Sequence, residues 1–150
     1  MSRPQADDYA YDSLNRLAEE SPYGRYLAFL EQGKLAFQRE SETGRAVFYP
    51  RVAAPGTGAC GLAWEISAGT GTVHAMTTIH YRGEAPLNVS LIDMDEGFRL
   101  MSRVEGTPAS EVRIGMRVRM RVHRPDEGPP YPVFDVDQPA SPAPREEREP

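Results

Sequence analysis

The sequence predicts a mostly β fold, in which two helices and a small three-strand patch precede a five-stranded barrel. Two observations lead to this prediction. After residue 67, five segments rich in β-branched and aromatic residues are separated by turn residues. Before them, apolar residues recur at helical spacing up to Gly33, and the spacing then changes to that of short strands. A chain of 150 residues suffices for one domain with short appendages.

The barrel is predicted over residues 67–137. Its strands are expected at 71–81, 86–95, 98–106, 116–124 and 131–137. Glu96-Gly97 joins the second and third strands as a hairpin, and 107–115 contains a helical turn. In the second strand Leu87, Val89 and Leu91 share one face. This order matches a small Greek-key OB barrel, in which closing the sheet removes its free edges.

The fourth barrel strand alternates strictly between apolar and basic residues. Its apolar positions, predicted to face inward, are Met116, Val118, Met120 and Val122. Its basic positions, predicted to face outward, are Arg117, Arg119 and Arg121. We call the three arginines the arginine ladder. They form either the solvated face of a barrel strand or a binding site for carboxylates of a partner or phosphates of coenzyme A.

A helical arm is predicted over residues 8–33, in two segments that meet at Ser21-Pro22. Serine suits the N-cap of the second segment, proline its first turn, and Gly33 its end. The second segment carries five large apolar side chains, which are Tyr23, Tyr26, Leu27, Phe29 and Leu30. Because tyrosine is typical of interfaces, this helix is either wholly buried in its own domain or in part a docking surface for a partner.

The three-strand patch is predicted over residues 34–66, with strands at 35–39, 45–51 and 62–66. Residues 138–150 contain no large apolar residue and mix proline with charge, so they are predicted to be disordered, as are residues 1–7.

Composition excludes several classes of protein. With 17 Lys+Arg against 22 Asp+Glu, the net charge of −5 disfavours a protein dedicated to nucleic acid or to anionic membranes. The single cysteine, Cys60, excludes a disulfide framework and a zinc site built from several thiolates. No apolar run is long enough to span a membrane, and the acidic N-terminus is unlike a secretory signal. We therefore expect a cytoplasmic protein.

Motifs in the same order along the chain resemble a known family, the OB-fold acyl-CoA-associated proteins with an N-terminal helical arm and a rubredoxin-like zinc ribbon. The matching pieces span about residues 23–136. They are Gly33-Lys34-Leu35, Phe37-Gln38-Arg39, Thr43-Gly44, Phe48-Tyr49-Pro50-Arg51, Trp64, Ser67 to Val73, Leu91 to Gly97, Arg113 to Val118 and Pro132-Val133-Phe134.

The chain departs from this family at the zinc ribbon. The family uses two C-x-x-C knuckles, and here the four ligand positions hold Glu40, Thr43, Ala54 and Thr57. A four-thiolate site cannot form without sulfur. We therefore expect a ribbon without metal, stabilised by packing, and no cofactor.

The resemblance implies a non-catalytic role. Such proteins are accessory subunits of thiolase-fold enzymes, including thiolases and lipid-transfer-protein-like aldolases of lipid or steroid metabolism. The arm and ribbon dock on the partner, and the barrel helps form the channel for the coenzyme A thioester. The resemblance predicts a hetero-oligomer, and the net charge and the lack of a long apolar run predict that neither nucleic acid nor a membrane is a partner. It also implies little folding stability alone, because the arm would have no core of its own.

Other residues offer weaker signals for catalysis. His74 and His80 lie about 20 Å apart on an extended strand, too far to share a metal. Asp93, Asp95 and Glu96 crowd a hairpin turn, where carboxylates are usually solvated. The alternative functions are a free-standing OB module, which binds acyl-CoA or single-stranded nucleic acid, and an independent enzyme.

Overall fold

The computed structural model describes residues 21–54, 58 and 61–137. The first predicted helical segment and both predicted disordered ends lie outside these residues. The elements in chain order are α1 (Pro22–Glu31), β1 (Ala36–Glu40), β2 (Ala46–Val47), β3 (Leu62–Ile66), β4 (Thr70–Ile79), β5 (Leu87–Met94), β6 (Arg99–Ser102), β7 (Val104–Glu105), a 3-10 turn (Ala109–Glu111), β8 (Arg117–His123) and β9 (Tyr131–Val136). The prediction of a mostly β fold is confirmed.

Helix α1 begins and ends where its sequence indicates. The backbone N–H of Gly24 donates to the Ser21 hydroxyl at 3.0 Å, and Pro22 occupies the first turn. At the other end Gly33 adopts a positive φ of 77°, and its N–H donates to the Leu30 carbonyl. Within these bounds, Tyr26 and Leu30 lie four residues apart on one face of the helix and are buried.

A small antiparallel sheet follows in the order β2-β1-β3. Its middle strand pairs Gln38 with Trp64 on one side and with Val47 on the other. The strand predicted at 45–51 is wrong in length, since β2 ends at Val47. Beyond β2, the side-chain amide of Gln38 takes the place of backbone pairing between strands. It donates to the Arg51 carbonyl at 2.8 Å and accepts from the Arg51 N–H at 2.7 Å.

The second sheet has the order β6-β5-β4-β8-β9-β7. Strands β6 and β7 are consecutive in the chain, so the sheet closes into the barrel expected of an OB fold. The single strand predicted at 98–106 is two strands. The chain changes partners at Arg103, because β6 pairs antiparallel with β5 whereas β7 pairs parallel with β9.

One hydrophobic core joins all three parts. Val73, Ile92 and Phe134 of the barrel are fully buried in the same cluster as Leu30 of α1 and Phe37 of β1. The helix therefore packs into the core of its own chain, unlike an arm without a core. Among the described residues, no helix is long and apolar enough to cross a membrane.

Candidate interaction groove

An apolar groove lies where α1, the chain after β2 and the barrel meet. Its volume is about 410 Å³. It is lined by Tyr23, Tyr26, Phe48, Tyr49, Leu87, Asn88, Val89, Leu100, Met101, Ser102, Arg103, Tyr131, Pro132 and Val133. We call it the tyrosine groove. Five of its lining residues are large apolar side chains exposed by at least a third, namely Tyr23, Tyr49, Leu87, Met101 and Tyr131.

Aromatic contacts hold the helical wall of the groove. The rings of Tyr23 and Tyr26 stack with their centroids 6.3 Å apart, and Tyr26 meets Phe48 edge-on at 5.6 Å. Phe48 also contacts Phe98 of the barrel at 5.1 Å, so the wall continues into the core. Burial, with smaller contributions from Tyr49 and Tyr23, raises the pKa of Tyr26 well above its usual value. This wall is therefore packed against the core, and Tyr26 is uncharged at neutral pH.

At the start of β5, which forms part of the barrel wall of the groove, polar residues are buried and apolar residues are partly exposed. In β5 the buried positions include Asn88 and Ser90, whereas Leu87, on the face with Val89 and Leu91, is 44% exposed. Asn88 can be buried because its amide pairs with the backbone of Val104, donating to the carbonyl at 2.5 Å and accepting from the N–H at 2.8 Å. Leu87 and Val89, on the opposite face of the strand, line the groove together with Asn88 itself.

Polar groups at the groove are already engaged within the chain. The Ser102 hydroxyl donates to the Pro132 carbonyl at 2.8 Å. Arg103 pairs with Glu105 at 2.7 Å and donates to the Tyr131 hydroxyl at 3.1 Å. Because these groups already have partners, the groove suits an apolar occupant better than a charged one.

The five residues predicted for partner binding divide between the core and the surface. Tyr26 and Leu30 are buried in the core, Leu27 and Phe29 are half-buried, and Tyr23 is 56% exposed at the groove. Most of the predicted residues are thus at least partly buried in their own domain, and a docking role for the exposed Tyr23 stays a prediction. Sequence reasoning missed Tyr49, Leu87, Met101 and Tyr131. The one available signal was the polar residues Asn88 and Ser90 between apolar ones in β5.

The arginine ladder points outward as its alternation indicates. Val118 between the arginines is fully buried. Each arginine meets a carboxylate of its own chain: Arg117 contacts Asp95 at 2.7 Å, Arg119 contacts Asp137 at 3.6 Å, and Arg121 contacts Asp135 at 2.9 Å. Arg121 also reaches Glu105 at 2.6 Å. Their positive charge is therefore balanced locally, and their role in ligand binding stays a prediction.

The acidic hairpin turn has a structural arrangement. Asp93 lies 2.6 Å from Arg99 and 3.1 Å from Nδ1 of His74. Hydrogen bonds from Arg117, and then from Thr70, lower the pKa of Asp95 to about 2. Glu96 accepts a hydrogen bond from the Ser67 hydroxyl. These carboxylates tie the turn to neighbouring strands and are not grouped around a common cavity.

Three of the four positions where the resemblance would place ligands of a zinc ribbon can be located. Glu40 and Ala54 are buried and Thr43 is exposed, whereas Thr57 and Cys60 lie outside the described residues. Within residues 21–54, 58 and 61–137, no three His, Cys, Asp or Glu side chains are grouped closely enough to hold a metal ion. Glu40 is not an unpartnered acid, since it takes part in a polar contact within the chain.

A comparison with known protein families finds a match to most of the barrel. Residues 64–123 match the family model described as the C-terminal OB-fold domain of ChsH2. This part of the chain is similar to the C-terminal OB-fold domain of ChsH2. The resemblance predicted from the motifs is thereby confirmed for the ChsH2-type domain. Among curated proteins, none matches the chain.

Two solved structures extend the likeness beyond the ChsH2-type domain. A chain of the Ltp2–ChsH2(DUF35) aldolase superposes with a TM-score of 0.68 at 25% identity, over 77% of this chain and 94% of that one. A protein of unknown function from the DUF35 family of Sulfolobus solfataricus superposes with a TM-score of 0.57 at 17% identity, over 89% of this chain and 100% of that one. The second likeness concerns the fold alone.

Proposed function

We propose that this chain is a non-catalytic accessory subunit of a thiolase-fold acyl-CoA enzyme, with a lipid-transfer-protein-like aldolase as the favoured partner and a thiolase as the other. The observation that carries the proposal is an exposed apolar groove on a chain that resembles one chain of an Ltp2–ChsH2(DUF35) aldolase. Tyrosine side chains supply large contact area at low entropic cost, which suits them to anchor a partner.

The groove would receive apolar side chains of the enzyme. Its exposed tyrosines and Met101 would lose their contact with water. Because the enzyme would bind only the folded form of this chain, the complex would stabilise both subunits. The barrel beside the groove would then help to form the channel for the coenzyme A thioester. Within the described part of the chain the acidic turn is tied to arginines and neighbouring strands, which agrees with a role that needs no catalysis by this subunit.

The geometry gives less support to the alternative of a free-standing OB module. Such a module would bind phosphates through the arginine ladder, but each guanidinium already lies within 4.0 Å of a carboxylate. A phosphate would have to displace these partners before it could bind.

Co-expression tests the proposal. We expect the tagged chain to purify with a co-expressed lipid-transfer-protein-like aldolase, as a hetero-oligomer visible by native mass spectrometry. The double variant Tyr23→Ala/Met101→Ala removes two side chains that are 56% and 61% exposed at the groove and should weaken the complex at least tenfold.

The matched control is Tyr81→Ala/Ile114→Ala. These side chains are 51% and 69% exposed but do not line the groove, so their loss should leave the complex intact. A chain that stays monomeric beside the enzyme would reject the accessory role. Equal weakening by both double variants would reject the groove as the docking site.

A further inference from the structure

The other side of α1 carries a second surface, separate from the tyrosine groove. Two adjoining depressions of about 250 and 290 Å³ share Arg25 of the helix and Trp64 of β3. The first is also bordered by Arg51 and Val52, and the second by Phe29. We call the surface formed by Arg25, Arg51 and Trp64 the arginine–tryptophan face.

Its two arginines differ from most of the arginines that the structure describes. Within residues 21–54, 58 and 61–137, neither Arg25 nor Arg51 has a carboxylate within 4.0 Å. By contrast, seven arginines in the same residues have such a partner: Arg39, Arg99, Arg103, Arg117, Arg119, Arg121 and Arg124. Arg25 and Arg51 are exposed, so a chain with a net charge of −5 presents a local positive surface here.

The face is held in place from below. The buried amide of Gln38 fixes the backbone of Arg51 through two hydrogen bonds, of 2.7 and 2.8 Å. The ring of Trp64 packs on Phe29 with centroids 5.7 Å apart, and Arg25 rises from the capped first turns of α1. Such a fixed arrangement reduces the entropy lost when a ligand binds.

We propose that the arginine–tryptophan face binds an acidic segment of a protein, with carboxylates on Arg25 and Arg51 and an apolar side chain against Trp64. The guanidinium fork matches a carboxylate in shape and charge, and arginine and tryptophan are the residues that most often dominate the energy of protein interfaces.

The inference does not require the partner to be an aldolase, so it can be tested on the free chain. Trp64 is the only tryptophan in the sequence, and its fluorescence reports directly on the face. The probe is the capped peptide DELDELDE, and the control probe is its neutral counterpart NQLNQLNQ. We expect a saturable change with the acidic peptide that weakens as salt is added, and little change with the neutral one.

Variants then assign the binding to the two arginines. Arg25→Gln/Arg51→Gln should weaken the acidic peptide about tenfold or more, since each change removes a charge-assisted hydrogen bond. The matched control is Arg82→Gln/Arg113→Gln, which removes two exposed arginines that border neither depression. The control should leave the peptide affinity unchanged.

Four outcomes would overturn the proposal. One is an absent or salt-insensitive response, and another is an equal response to both peptides. A third is an equal response to inorganic phosphate at the same ionic strength, which would identify a site for small anions. The fourth is binding seen only after Glu19→Gln/Glu20→Gln, which would assign the face to the chain's own acidic residues before α1.

Discussion

At the scale of single residues, two buried side-chain amides form hydrogen bonds with backbone groups of neighbouring segments. Gln38 pairs with both backbone groups of Arg51, and Asn88 pairs with both backbone groups of Val104. Each amide sits where a strand stops pairing with its neighbour along the chain. Buried backbone groups need partners, so these side chains stabilise the segments that form the tyrosine groove.

The first prediction therefore reverses the usual ranking of core substitutions in β5. Asn88→Ala should lower the free energy of unfolding by about 3 kcal/mol, since it leaves the N–H and carbonyl of Val104 without partners. Leu87→Ala, at the preceding position, should lower the free energy of unfolding by only about 0.5–1 kcal/mol, because this side chain is 44% exposed. Urea denaturation of both variants measures the difference, and a larger cost at Leu87 would contradict the assignment of the buried face.

A second residue-scale prediction concerns Arg117 and Asp95. Because hydrogen bonds from Arg117 and then Thr70 lower the pKa of Asp95 to about 2 in the folded chain, this pair stabilises the fold above the ordinary carboxyl pKa near 3.8. That stabilisation is lost as the pH falls through about 2. Arg117→Gln should raise the pKa of Asp95 towards its ordinary value, as followed by NMR titration of the carboxyl carbon.

The pair is exposed, so its effect on stability should be small. Solvent screens such ion pairs, so we expect Arg117→Gln to change the urea midpoint at pH 7 only slightly. An unchanged pKa of Asp95 in the variant would contradict the contact. The alternation of β8 predicted the direction of Arg117, but not this partner, because strand pairing brings together residues far apart in sequence.

At the scale of elements, the sequence predicted most strands because their patterns are local. β3 and β8 lie where alternation and turn residues place them, and the caps of α1 were recognisable from Ser21, Pro22 and Gly33. Two errors have a common cause. The short β2 and the break at Arg103 depend on which strand the chain pairs with next, and a single sequence does not contain that information.

The small sheet β2-β1-β3 provides the third prediction, which concerns metal. Among the described residues no cluster of metal ligands exists, and Phe37, Val47 and the half-buried Trp64 pack around this sheet instead. We expect the chain purified without added zinc to contain none by elemental analysis, and a chelator to leave its thermal midpoint unchanged. A lower midpoint with chelator, restored by zinc, would contradict this prediction.

At the scale of the whole molecule, the groove is a product of the shared core. Tyr26 and Leu30 anchor α1 in the core. The exposed Tyr23 then lines the groove together with Met101 and Tyr131 of the barrel. The individual elements were readable from the sequence, but the site was not. Its walls come from three separate parts of the chain, and only tertiary packing brings them together.

The fourth prediction follows from that core. Because α1, the small sheet and the barrel share one hydrophobic cluster, the isolated chain should unfold in one cooperative step. Fluorescence of Trp64 reports on the small sheet and far-ultraviolet circular dichroism mainly on the barrel, so their urea midpoints should coincide. Leu30→Ala, at a fully buried position of α1, should cost about 3 kcal/mol and shift both midpoints together. If the fluorescence midpoint alone moved, the helix and small sheet would form an arm that folds independently of the barrel, as the sequence first suggested.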